Sequence, residues 1–293
     1  MAHDTRDARA DPEGAASERA DPPNTASADA DSADRASADP DAARAEQSAR
    51  RRGRRRPRHW TEGGSSVRPW GWDLLGWALV GYALGLLGAA AIRSFAPDAA
   101  VTSAAAAVAL WIGMGAPIVL AFSRSRPRGL LRFRAVDLLY GVALGLALRL
   151  TQGWLAEAEN GAPLPFPSYP SLDGGLPASW WFADLLTPVV ISPVIEEFFF
   201  RGVLLVALFA ALRGALGAVS AGVVALLATT GLFVVAHALG GALGADAVAA
   251  YALVGLVCGL LVLLTGRIWG AILTHAVFNA LWVALATTGT LLA

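Results

Sequence analysis

From residue 70 onward, apolar residues come in long runs of about 20, the length a helix needs to cross the hydrocarbon core of a bilayer. The runs fall at roughly 71–93, 99–122, 136–156, 180–212, 217–239, 246–264 and 267–290. Lipid offers no water to satisfy an open sheet edge or a lipid-facing loop, so each run is expected to be a helix. The pattern predicts an all-α fold, a polytopic transmembrane bundle of about seven helices over residues 70–293. The fourth run exceeds a single perpendicular crossing, and Pro188 and Pro193 give it places to bend. Gly81, Gly85 and Gly88 predict close helix contact. No internal repeat is apparent.

Residues 1–69 follow another rule. They are rich in Ala, Asp, Ser, Arg and Pro and show no apolar periodicity, so this segment is expected to be a disordered tail that cannot offset its own ordering entropy. No short apolar stretch with a cleavage site precedes the basic cluster, so the tail does not read as a secretory signal. The whole chain is 55% hydrophobic with a mean hydropathy of +0.51, and nearly all of that lies beyond the tail. A soluble surface is excluded for residues 70–293.

Charge orients the bundle. Residues 1–49 carry twelve acidic groups against five Arg, and residues 50–58 then hold seven Arg in nine positions. The Arg50–Arg58 cluster, the group Arg124, Arg126, Arg128, Arg132 and Arg134, and the single Arg213 and Arg267 all fall on one side of a seven-span chain. By the positive-inside rule that side is cytoplasmic. Glu157, Glu159, Asp173 and Asp246 fall on the other side, with Arg93 the exception. The N-terminus is therefore expected in the cytoplasm and the C-terminus outside. The Arg cluster reads as a topogenic, lipid-touching signal rather than a nucleic-acid site. Its all-Arg basic composition hints at a bacterial plasma membrane. Cys258, the single cysteine, excludes an internal disulfide.

Ionisable groups within the spans cost roughly 2.5–3.5 kcal/mol each, so each needs a partner or a purpose. Glu196, Glu197 and Arg201 lie deep in the fourth run. Glu197 and Arg201 are four apart on one face and can neutralise each other. Glu196 points about 100° away around the helix and has no sequence-local partner. His237 follows Phe233 by one turn, and His275 precedes Asn279 by one turn. One intramembrane histidine is ordinarily a helix–helix contact, but three such sites with a free carboxylate among them point to chemistry.

EEFFFR (Glu196–Arg201), FVVAH (Phe233–His237) and HAVFN (His275–Asn279) resemble, in order, the EExxxR, FxxxH and HxxxN motifs of the CAAX-protease and bacteriocin-processing family of intramembrane proteases. The resemblance covers a core of about 180–290. It implies an intramembrane endopeptidase acting on a membrane-associated protein or peptide. Glu196, aided by His237, would activate the water. His275 and Asn279 would hold the oxyanion. Glu197, Arg201 and Phe233 would support the site structurally. No cofactor is preferred. The alternative is a zinc enzyme with Glu196, His237 and His275 as ligands. It is set second because His275 shares its helical face with Asn279, not with a carboxylate able to orient a metal-bound histidine. A proton-coupled transporter would place similar groups at mid-membrane, but the absent repeat and short chain count against it. A catalytically silent scaffold would not need the intact set. One difficulty remains in the spacing: counted from the basic loops, Glu196 and His237 lie near or beyond mid-membrane, while His275 lies only about one-third of the way in.

Overall fold

The computed structural model describes residues 41, 60, 70–95, 100–162, 165–169, 175–239 and 243–292. The chain divides into two units, Met1–Arg56 and Pro57–Ala293, and the fold below is that of the second. The expectations for the tail and the Arg50–Arg58 cluster lie outside the described residues. Trp60 is the exception in the second unit. It was grouped with the tail by composition, yet it is fully buried with its ring edge-on to Phe209 at 5.5 Å.

Among the described residues the architecture is all-helical. The helices are α1 (Trp72–Phe95), α2 (Ala100–Arg124), α3 (Ala135–Asn160), α4 (Trp181–Ala238), α5 (Ala245–Thr265) and α6 (Trp269–Leu292). All six are long and apolar enough to cross a membrane, and apolar side chains such as Leu84 and Leu139 stand outward. This is an integral membrane protein.

Six helices correspond to seven expected spans because α4 contains two of them. Its 58 residues would reach about 87 Å if straight, nearly three times the hydrocarbon thickness. It does not run straight. Gly217 has φ 75° and ψ 170°, a conformation essentially reserved for glycine. A Cβ placed on Gly222 would touch the ring of Phe209, thirteen residues earlier, at 3.8 Å. Such a contact requires the chain to turn back at Gly217, so 181–216 and 218–238 form two limbs of a hairpin.

The ends of the bundle are tied by polar contacts. At one end, Arg267 donates to Asp137 at 2.7 Å, Ile268 N–H donates to Leu130 O at 2.9 Å, and the Trp269 indole donates to Leu131 O. The bonded Asp137 carboxylate raises the Arg267 guanidinium above its usual range, so it stays charged. The basic α2–α3 loop and the α5–α6 turn therefore sit together. At the other end, Glu159 accepts from the backbone N–H of Ala245 and Asp246, where a carboxylate suits a helix N-terminus.

The expected difference in depth is not found, since His275 Nδ1 lies 2.9 Å from Glu197 Oε1 and its Nε2 lies 4.0 Å from Glu196 Oε2. Gly259 packs level with Leu205 and Leu226 on the two limbs of α4. Both limbs thus pack beside the middle of α5.

Candidate functional site

The site is built on an irregular stretch of α4. Pro188 and Pro193 cannot donate backbone N–H groups, and the chain around them widens into π-helical turns over Trp181–Ile191 and again over Phe198–Leu205. Between these lies the regular segment Ser192–Glu197, which fixes Glu196 and Glu197 on different faces.

Glu197 is fully buried and faces inward to a charged chain. Arg201 Nη1 donates to Glu197 Oε1 at 2.8 Å, and His275 Nδ1 lies 2.9 Å from the same oxygen. Arg201 also donates to Gly255 O at 3.4 Å and stands 4.4 Å from the centroid of Phe233. The Phe233 ring in turn meets His275 edge-on at 5.7 Å and lies 4.4 Å from the His237 ring. One carboxylate and one aromatic ring thereby connect the three motif helices.

Glu196 faces the other way, toward a cavity of about 380 Å³. Its Oε2 lies 3.9 Å from His237 Nε2 and 4.0 Å from His275 Nε2, and that oxygen has no hydrogen-bond partner among the described residues. The other nitrogen of each imidazole is committed. His237 Nδ1 lies 2.9 Å from Phe233 O, a carbonyl that can only accept, so Nδ1 carries the proton. His275 Nδ1 donates likewise to the Glu197 carboxylate. In their neutral forms both histidines therefore turn an Nε2 lone pair toward Glu196. Asn279 lines the same cavity, so Glu196, His237, His275 and Asn279 come together. Glu197, Arg201 and Phe233 form the layer behind them.

Asn279 has a further duty. Its Nδ2 donates to Pro188 O at 2.7 Å. Ser192 N–H already reaches back five residues to Thr187 O, so the next such donor, for Pro188 O, belongs to residue 193, which is proline. The side-chain amide stands in for that missing N–H and leaves its second N–H for the cavity. We expect Asn279→Ala to cost about 1–3 kcal/mol of stability through the stranded carbonyl. Pro193→Ala, which restores a backbone donor, should recover most of that loss in the double variant. Denaturation in detergent checks this; a double variant no more stable than Asn279→Ala would refute the substitution of amide for backbone.

Two cavity residues escaped the sequence reading. Tyr251 stacks on His237 with ring centroids 4.2 Å apart, and nothing in its apolar surroundings marks it. Arg149 lines the same cavity from α3. Its signal was present, as an arginine in the middle of an apolar run.

The family described as Type II CAAX prenyl endopeptidase Rce1-like matches the chain over residues 178–281. That interval contains all three motifs and both limbs of α4, and it leaves α1 to α3 outside. Neither the curated proteins nor the solved structures give a match.

Proposed function

We propose that this protein, which through residues 178–281 belongs with the CAAX-protease and bacteriocin-processing family, is an intramembrane endopeptidase that hydrolyses a peptide bond of a membrane-associated protein or peptide. The observation that carries the reading is the convergence of Glu196 Oε2 with two imidazole Nε2 atoms at 3.9 and 4.0 Å in a cavity within the bundle. A water within hydrogen-bond reach of Glu196 and His237 subtends about 90° between them, close to its own H–O–H angle. Its lone pair then faces the cavity. Glu196 takes one proton as the water oxygen bonds to the scissile carbonyl carbon, and the same proton passes to the leaving nitrogen as the C–N bond breaks. The second N–H of Asn279 and a proton on His275 Nε2 serve the oxyanion. The topology we propose keeps the N-terminus in the cytoplasm and the C-terminus outside, in a bacterial plasma membrane.

A zinc reading is favoured by one contact. The sequence argument against it held that no carboxylate orients His275, but Glu197 does so from another helix. That argument falls, because a helical face shows only neighbours on its own helix. Glu196, His237 and His275 have the chemistry to hold zinc, which would supply a Lewis acid and an activated water. Their spacing fits less well. A tetrahedral edge with bonds of about 2.1 Å is roughly 3.4 Å, shorter than both separations. Among the described residues no group of three His, Cys, Asp or Glu side chains has metal-site spacing. The water-bridged geometry remains our proposal.

Purified protein in liposomes, incubated with a membrane-peptide library and read by mass spectrometry, tests both readings. Cleavage that survives a zinc chelator is the expected result. Cleavage lost on chelation and restored by zinc would select the second reading, and no cleavage of any peptide would overturn the protease.

A further inference from the structure

The cavity that Glu196 lines also carries a cation that the hydrolytic scheme does not use. Arg149 sits near the middle of α3, where an unbalanced charge is expensive. Its Nε and Nη2 both donate to Phe278 O, at 3.1 and 2.7 Å, and Nη1 donates to Gln152 Oε1. The guanidinium carbon lies over the Phe278 ring, 3.8 Å from its centroid. Its partners among the described residues are thus a carbonyl, an amide and an aromatic face, none of them acidic. Phe278 O lies inside a regular helix and has a backbone donor of its own, so it does not require an arginine. Of the five guanidinium N–H groups, one on each Nη remains for a ligand.

A guanidinium held on three sides, with two donors left and open to a cavity, is built to receive an oxyanion. The Glu196 carboxylate lines the same cavity, so an anion bound at Arg149 is repelled from it by like charge. We propose that Arg149 binds a carboxylate of the peptide substrate and so sets the distance from that carboxylate to the bond that is cut. The proposal rests on the protease reading for its substrate but not for its test. The carboxylate is either the peptide's C-terminus or an Asp or Glu side chain, and the two share this chemistry.

The experiment is retention of randomised decapeptides by the protein in phosphatidylcholine nanodiscs, measured by mass spectrometry. Three pools separate the sources: free C-terminal acids lacking Asp and Glu, C-terminal amides containing Asp and Glu, and amides lacking both. Wild-type protein is expected to retain one of the acidic pools about tenfold or more above the neutral pool. Arg149→Gln, which keeps hydrogen-bonding capacity without charge, should abolish the preference, and Arg149→Lys should keep part of it. Equal retention of all pools by the wild type would overturn the proposal, as would a preference unchanged in Arg149→Gln. In parallel nanodiscs doped with phosphatidylglycerol, Arg149-dependent retention of that lipid with no peptide preference would overturn it too by assigning the site to lipid. Cleavage of the same pools is scored separately. Arg149-dependent retention without any cleavage counts against the protease alone, and cleavage without acidic preference counts against the carboxylate site alone.

Discussion

Glu196→Gln is expected to lower turnover by about 10²–10⁴-fold while the protein stays folded and inserted. The substitution keeps the volume and a hydrogen-bonding oxygen but removes the base. Among the described residues Glu196 Oε2 has no hydrogen bond to lose, and its neighbours are two Nε2 atoms about 4 Å away. Its stability in detergent should match the wild type. Near-normal cleavage by the purified variant would eliminate Glu196 as the general base and leave the convergence of the three motifs without a chemical role.

Arg201→Ala should fail in the opposite manner. Glu197 and Arg201 are 0% and 1% exposed, and deleting the cation leaves a buried carboxylate with only His275 to balance it. Breaking a buried pair from one side costs about 3–5 kcal/mol. The variant also loses the contacts to Gly255 O and the face of Phe233. Melting in detergent is the measurement, with Glu196→Gln as reference. An Arg201→Ala protein that melts at or above that reference would show that the pair does not hold the motif helices together. Activity is expected to fall as well, because Glu197 fixes the proton of His275.

The motif residues were legible because a charged or imidazole side chain inside an apolar run has few innocent explanations. Glu197 and Arg201 are four residues apart on one helix, a separation that one sequence displays directly. The bond from Glu197 to His275 spans 78 residues and two helices, and nothing in one sequence indicates which faces of two helices meet. The same blindness hid the link from Asn279 to Pro188, where one partner is a carbonyl that every residue possesses. The seven apolar runs were visible, as was the boundary near Gly217, but not the contacts that set His275 beside Glu196 and Glu197. Arg149 belongs to no motif, and its role depends on partners from α6 that its own run does not display.

Charge neutrality ties these residues into one ledger. Around the cavity stand two carboxylates, Glu196 and Glu197, and two guanidinium groups, Arg149 and Arg201. With both imidazoles neutral they sum to zero, the state a low-dielectric interior favours. A carboxylate arriving at Arg149 would tip that sum by one negative charge. His275 Nδ1 is committed to Glu197, so its Nε2 can offer the cavity an N–H only when both ring nitrogens carry protons. The positive charge of that form and the negative charge of a carboxylate at Arg149 offset each other, so the substrate's charge and the oxyanion donor belong to one electrostatic sum.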